Sequence, residues 1–216
     1  MKKYIAEYLG TFLLVATVIG SGIMAENLIS LKDYESVVLL CNTIATGAIL
    51  YVIINMFGDI SGAHFNPAVS FVFLIKDELS WKEFCFYIVA QLLGGLLGVF
   101  LIHYIFEQPS IIQVSEKARL GWPLFVSEIL ATWGLICTIL FVRDNDSKSV
   151  AISVALFITA GYWFTSSTSF ANPAVSLARV FTNTFTGISP NSLAPFVYAQ
   201  FLGCLFGLFT YKYLKN

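Results

Sequence analysis

Charge is what this chain has least of. Only 12% of its 216 residues are Asp, Glu, Lys or Arg, twelve basic against thirteen acidic, for a net charge of −1. So even a balance offers nothing to nucleic acid and no polybasic patch to a lipid surface. Cysteine is sparse and badly spaced for chemistry. Cys41, Cys85, Cys137 and Cys204 each lie inside an apolar run, which excludes a disulfide framework or a metal knuckle and reads as packed, reduced thiols. Histidine occurs twice, and no Ser/His/Asp set, phosphate loop or metal cluster can be assembled by spacing. The chain therefore reads as neither an enzyme nor a cofactor protein.

What is abundant is hydrophobicity. Apolar residues make up 57% of the chain, and the mean hydropathy of +0.79 lies outside the range of soluble domains. Six runs are long enough to span a bilayer: about 5–24, 37–57, 84–106, 124–142, 150–167 and 195–214. The start, Lys2-Lys3 before an apolar stretch, has the outline of a signal peptide. Glu7 within it, and the partner stretch later in the chain, argue for a membrane helix instead. The intervening connections hold the charges. With a cytoplasmic N-terminus, Lys2, Lys3, Lys76, Lys82, Arg143, Lys148, Lys212 and Lys215 fall inside, and Lys32, Lys117, Arg119 and Arg179 outside. Eight against four satisfies the positive-inside rule and puts both termini in the cytoplasm.

One motif occurs twice. Asn66-Pro67-Ala68-Val69-Ser70 returns as Asn172-Pro173-Ala174-Val175-Ser176, 106 positions later. Each copy opens with Asn, a good N-cap, and puts Pro at the first helical position, where its missing N–H costs nothing. The ten residues from Asn66 to Ile75 make roughly 15 Å of helix, about half of a ~30 Å hydrocarbon core. The repeat extends further. Glu7 with Thr11 matches Glu128 with Thr132, and Ala90-Gln91-Leu92-Leu93-Gly94 with Gly98 matches Ala199-Gln200-Phe201-Leu202-Gly203 with Gly207. The glycines form small-xxx-small faces for close helix packing. Three spans per half is an odd number, so the halves, about 1–106 and 122–216, are inverted within one channel domain, 1–216.

Inversion brings the two Asn-Pro-Ala turns face to face at mid-membrane, each half-helix N-terminus carrying about half a positive charge. Together they oppose cations and hopping protons. The Asn66 and Asn172 carbonyls are expected to cap the half-helices, leaving their NH₂ groups free to donate into a lumen. The non-helical backbone before each turn, Gly62, Ala63, His64 and Phe65 in one copy and Thr168, Phe170 and Ala171 in the other, is expected to supply a carbonyl ladder. Glu7 and Glu128 are expected to accept N–H groups of that backbone. His64 serves either as a gate or through its carbonyl. His103 is expected at the interface, Trp81, Trp122, Tyr211 and Tyr213 in an aromatic belt, and Trp163 in the core.

These residues together resemble the aquaporin, or major intrinsic protein, family, along essentially the whole chain. Ser61 through Val69, reading Ser-Gly-Ala-His-Phe-Asn-Pro-Ala-Val, is similar to the family's first loop, and Asn172-Pro173-Ala174 to its second. Glu7 and Glu128 match its helix glutamates, Gln91 and Gln200 its helix glutamines. The resemblance implies an all-α membrane protein of six transmembrane helices plus two re-entrant half-helices. It also implies a homotetramer in a lipid bilayer, and passive flow of water and small neutral solutes. Short tails and small size suit a prokaryotic inner membrane.

The chain departs from the family where most members carry Arg, directly after the second Asn-Pro-Ala. That residue is Val175. By the family's spacing the other constriction positions are Thr46, Ala160 (or, one position on, Gly161) and Ser169, a wide, weakly polar, uncharged ring. Such a ring resembles bacterial aquaglyceroporin-like members of arsenic-resistance type, implying arsenous acid and similar hydroxides beside glycerol. Arg179, four residues beyond Val175, either reaches back into the ring, rebuilding an ordinary water and glycerol filter, or binds outer-loop carbonyls in a vestibule. A proton-coupled transporter and a structural junction protein are the alternatives from other classes.

Overall fold

The computed structural model describes residues 1–28 and 35–215; Lys32, counted above with the outer connections, lies outside the described residues. Among the described residues six helical spans are long and apolar enough to cross a membrane: α1 (Lys2–Leu28), α2 (Glu35–Ser61), α4 (Trp81–Ile105), α5 (Trp122–Asn145), α6 (Val150–Phe164, with the 3₁₀ turn Ser147–Ser149 before it) and α8 (Pro190–Lys215). Two short helices fall between them, α3 (Pro67–Ile75) and α7 (Pro173–Ala178), the second running on into a 3₁₀ turn at Arg179–Phe181. The long helices overrun the apolar runs by several residues at most ends, because polar and charged residues extend them beyond the hydrocarbon. The exceptions are α4, which ends at Ile105, and α6, which stops at Phe164.

The two halves are built alike. In each, the first long helix packs along the third: α1 along α4 and α5 along α8, with α2 against α6 joining the halves. The glycine faces make this possible. A Cβ at Gly94 would lie 2.2 Å from the Tyr8 carbonyl oxygen, and one at Gly98 2.8 Å from that of Phe12. In the other half, Gly203 faces the Ile129 carbonyl at 2.5 Å and Gly207 that of Trp133 at 3.0 Å. Backbone meets backbone, which no larger residue permits.

Several side chains sit elsewhere than expected. His103 is fully buried, its ring nitrogens 2.8 Å from the Ile111 carbonyl and from Thr182 Oγ1, so it ties α4 to the outer loops rather than lying at an interface. Trp163 is half exposed on the outside of α6 instead of packing in the core. Of the thiols only Cys204 is buried; Cys41 and Cys85 point outward from their helices. Trp81, Trp122 and Tyr213 are exposed at helix ends as a belt requires. Tyr211 instead donates to Asp144 Oδ2 at 2.6 Å, beneath the Lys76 ammonium.

Candidate functional site

Each half-helix begins as its sequence dictates. Asn66 Oδ1 accepts from the Ala68 N–H at 2.9 Å, and Asn172 Oδ1 from those of Ala174 and Val175 at 2.9 and 3.3 Å, with Pro67 and Pro173 at the first helical positions. The amide groups are not left free. Asn66 Nδ2 donates to the Ala171 carbonyl at 2.7 Å, and Asn172 Nδ2 returns the bond to the Phe65 carbonyl at 2.8 Å. One N–H of each amide therefore locks the two turns together, and one remains. The turns meet head to head, as inversion demands. Pro67 and Pro173 face away from the lumen and border an apolar groove between α4 and α8.

The backbone leading into each turn is held in an unusual shape. Gly62, Ala63 and Phe65 in one half, and Thr168, Ser169 and Ala171 in the other, all have φ between 47° and 83°. Non-glycine residues avoid that region, and persist there only when their surroundings fix them. The two buried glutamates do the fixing. Glu7 accepts from the His64 and Phe65 amides at 2.9 and 2.7 Å, from Ser61 Oγ at 2.7 Å and from Gln91 Nε2 at 2.8 Å. Glu128 accepts from the Phe170 and Ala171 amides, both at 2.9 Å, and from Gln200 Nε2 at 2.7 Å.

A lumen of about 170 Å³ runs between the halves. Gly62, Ala63, His64 and Phe65 border it on one wall, Ser169, Phe170 and Ala171 on the other, with Asn66 and Asn172 between. Thr168 lies outside it, where its hydroxyl and the Ser167 carbonyl accept from Arg119 Nη1 at 3.3 and 3.0 Å. The His64 ring is fixed, with Nδ1 3.1 Å from Ser70 Oγ and its face 4.4 Å from the Phe73 ring.

Two capped half-helices bonded reciprocally across an inverted repeat are joined by a sequence match: the major intrinsic protein family pattern covers residues 1–160. The chain belongs to the major intrinsic protein family. It is 47% identical over 213 residues to "Aquaglyceroporin AqpS" of Rhizobium meliloti (strain 1021), spanning 99% of this chain and 90% of that one. "Aquaporin NIP2-1" of Zea mays is 30% identical over 223 residues, spanning 100% of this chain and 72% of the relative. The X-ray structure of the aquaglyceroporin from Plasmodium falciparum matches with a TM-score of 0.77 over 99% of this chain and 96% of that one; at 22% identity it speaks to the fold. As a member of this family the protein is an integral membrane channel, not an enzyme.

Of the four constriction residues counted by family spacing, Thr46, Ser169 and Val175 border the lumen. Ala160 does not. It is exposed on the far side of α6, whose lumen-facing stripe is Val154, Ile158 and Tyr162. These recur every four residues, and position 160 lies about 200° around the helix from either neighbour in that stripe. The residue the spacing missed is Tyr162, and helical periodicity along α6 was the signal that would have found it. Arg179 is buried and borders the lumen. Its Nε donates to the Thr186 carbonyl and its guanidinium lies flat on Phe170, 3.5 Å from the ring centroid. An outer-loop carbonyl thus holds Arg179, and it borders the same lumen as Val175.

Proposed function

We propose that this protein is a passive channel for water, glycerol-like polyols and compact neutral metalloid hydroxides such as arsenous acid. The observation that carries the reading is Val175, an apolar side chain in the lumen directly after Asn172-Pro173-Ala174, in the company of Thr46 and Ser169. A wall without a charged donor at that level cannot demand one arrangement of hydroxyls. A buried polar group left unpaired costs about 1–3 kcal/mol, so strict choice among polyols is weak and small neutral hydroxides pass. The aquaglyceroporin relative of Rhizobium meliloti supports glycerol as a substrate class. The family resemblance supports a homotetramer, the Lys/Arg distribution supports cytoplasmic termini, and the bacterial relative supports an inner-membrane location.

A second reading rests on Arg179, whose guanidinium borders the lumen one turn beyond Val175. There it substitutes for the family's arginine and restores an ordinary water and glycerol filter. A stopped-flow panel on proteoliposomes, with water, glycerol, urea, arsenous acid and boric acid, tests both. The open ring predicts flux for all five and little change on Arg179→Ala. A large change in selectivity in that variant supports the substitute arginine. A parent channel that conducts water but gives cells no added arsenite uptake removes the metalloid part.

A further inference from the structure

Tyr162 is nearly fully buried and borders the lumen, with its hydroxyl 3.1 Å from Thr46 Oγ1 across the pore wall. Thr46 Oγ1 also lies 2.8 Å from the Asn42 carbonyl of its own helix, a contact in which the threonine hydroxyl donates. That hydroxyl has one proton. When it is spent on Asn42, the Tyr162 proton goes to Thr46 Oγ1, and both bonds are made. The phenol oxygen then keeps its free lone pairs and presents an acceptor to the lumen.

Ser169 supplies a second, independent observation. It is 2% exposed, borders the same lumen, and its Oγ has no hydrogen-bond partner among the described residues. It rests against Gly161, the residue before Tyr162, where a Cβ would come within 2.6 Å of Ser169 Oγ. A buried hydroxyl is seldom left unpaired, so Ser169 is the donor on this wall with a bond still to make.

We propose that Tyr162 is a specificity-determining residue of this pore, forming with Ser169 a subsite for one hydroxyl of a polyol or neutral hydroxide. Tyr162 Oη accepts the solute proton and Ser169 Oγ donates to the solute oxygen, while Val175 meets the apolar side of the solute. The phenol ring, tied through Thr46 to α2, closes the side of the lumen that Ala160 would have left open, and so sets the size limit as well. The inference rests on the conduction of neutral hydroxylated solutes proposed above.

Tyr162→Phe and Tyr162→Ala, in purified protein reconstituted in liposomes, separate the two roles. Tyr162→Phe keeps the ring and loses the acceptor, and is expected to lower the glycerol-to-water permeability ratio about fivefold. Tyr162→Ala is expected to admit five-carbon polyols that the parent excludes. Elution volume and thermal midpoint in detergent confirm that each variant is folded, and Gly161→Ala, which pushes on Ser169 from behind, is expected to lower the same ratio. An unchanged ratio in Tyr162→Phe overturns the acceptor role, and an unchanged size limit in Tyr162→Ala overturns the steric one. If the parent passes water but no glycerol, the conduction reading fails; glycerol flux gained in Tyr162→Ala would then still mark Tyr162 as the barrier, and none gained would overturn it.

Discussion

Asn66 and Asn172 each do two things with one side chain: the carbonyl caps a half-helix and the amide crosses to the opposite turn. Aspartate can still cap but has no proton to send across. In Asn172→Asp, a carboxylate oxygen faces the Phe65 carbonyl where a 2.8 Å donor bond had been, with the second carboxylate oxygen near the midplane. We expect reduced glycerol flux together with a proton or cation leak, read with a pH-sensitive dye in liposomes; intact flux and no leak would count against the head-to-head arrangement. The capping half of this device was legible in the sequence, because an N-cap is local and Asn-Pro is its signature. The crossing half was not, because it joins residues 105 and 107 positions apart. Ala160 and Tyr162 teach the same lesson in reverse. Counting back along an irregular segment loses register, whereas counting along a regular helix keeps it.

At the scale of elements, helices were legible and the backbone between them was not. Long apolar runs bounded by charges leave little choice inside a bilayer. The left-handed residues before each turn give no such sign, since Ala63, Phe65, Thr168, Ser169 and Ala171 are not residues that favour positive φ. Their shape comes from Glu7 and Glu128, on other helices, which satisfy amides that lipid would leave bare. Glu128→Gln tests this, because glutamine offers one acceptor oxygen where the carboxylate offers two. One of the Phe170 and Ala171 amides then loses its 2.9 Å partner, at a cost of about 1–3 kcal/mol. We expect a lower thermal midpoint in detergent and a drop in solute flux; an unchanged midpoint would mean the loop holds its own shape. The glycine faces are a separate test of element packing. Gly98→Val places two methyl groups where even a Cβ would sit 2.8 Å from the Phe12 carbonyl. Overpacking of this kind costs about 1–3 kcal/mol, and because α1 and α4 are backbone against backbone we expect the upper end, seen as poor yield or early unfolding.

Across the whole molecule, the two halves are also joined by charge at the face where α3 ends. Arg143 of α5 donates through both terminal nitrogens to Glu78, in the connection between α3 and α4, at 2.7 and 2.9 Å. The guanidinium also lies 4.9 Å from the centre of the Phe73 ring and borders the lumen. The bidentate bond from Arg143 holds the Glu78 carboxyl below the usual range, ahead of the smaller contribution of Lys76. A carboxylate whose folded value is depressed stabilises the fold above its unfolded value, about 4.3, and that stabilisation is lost as the pH falls through the lower folded value. At neutral pH the clasp is therefore fully formed, and it opens only in acid. The pair is partly exposed, so its contribution is modest, about 0–1 kcal/mol. The measurement is a difference: the thermal midpoints of the parent and of Glu78→Gln in detergent at pH 7 and again at pH 3. The parent should be the more stable at pH 7, and the gap should be narrower at pH 3, below the unfolded value, where part of the linkage is lost. Equal gaps at both pH values would show that Glu78 holds the halves by packing alone.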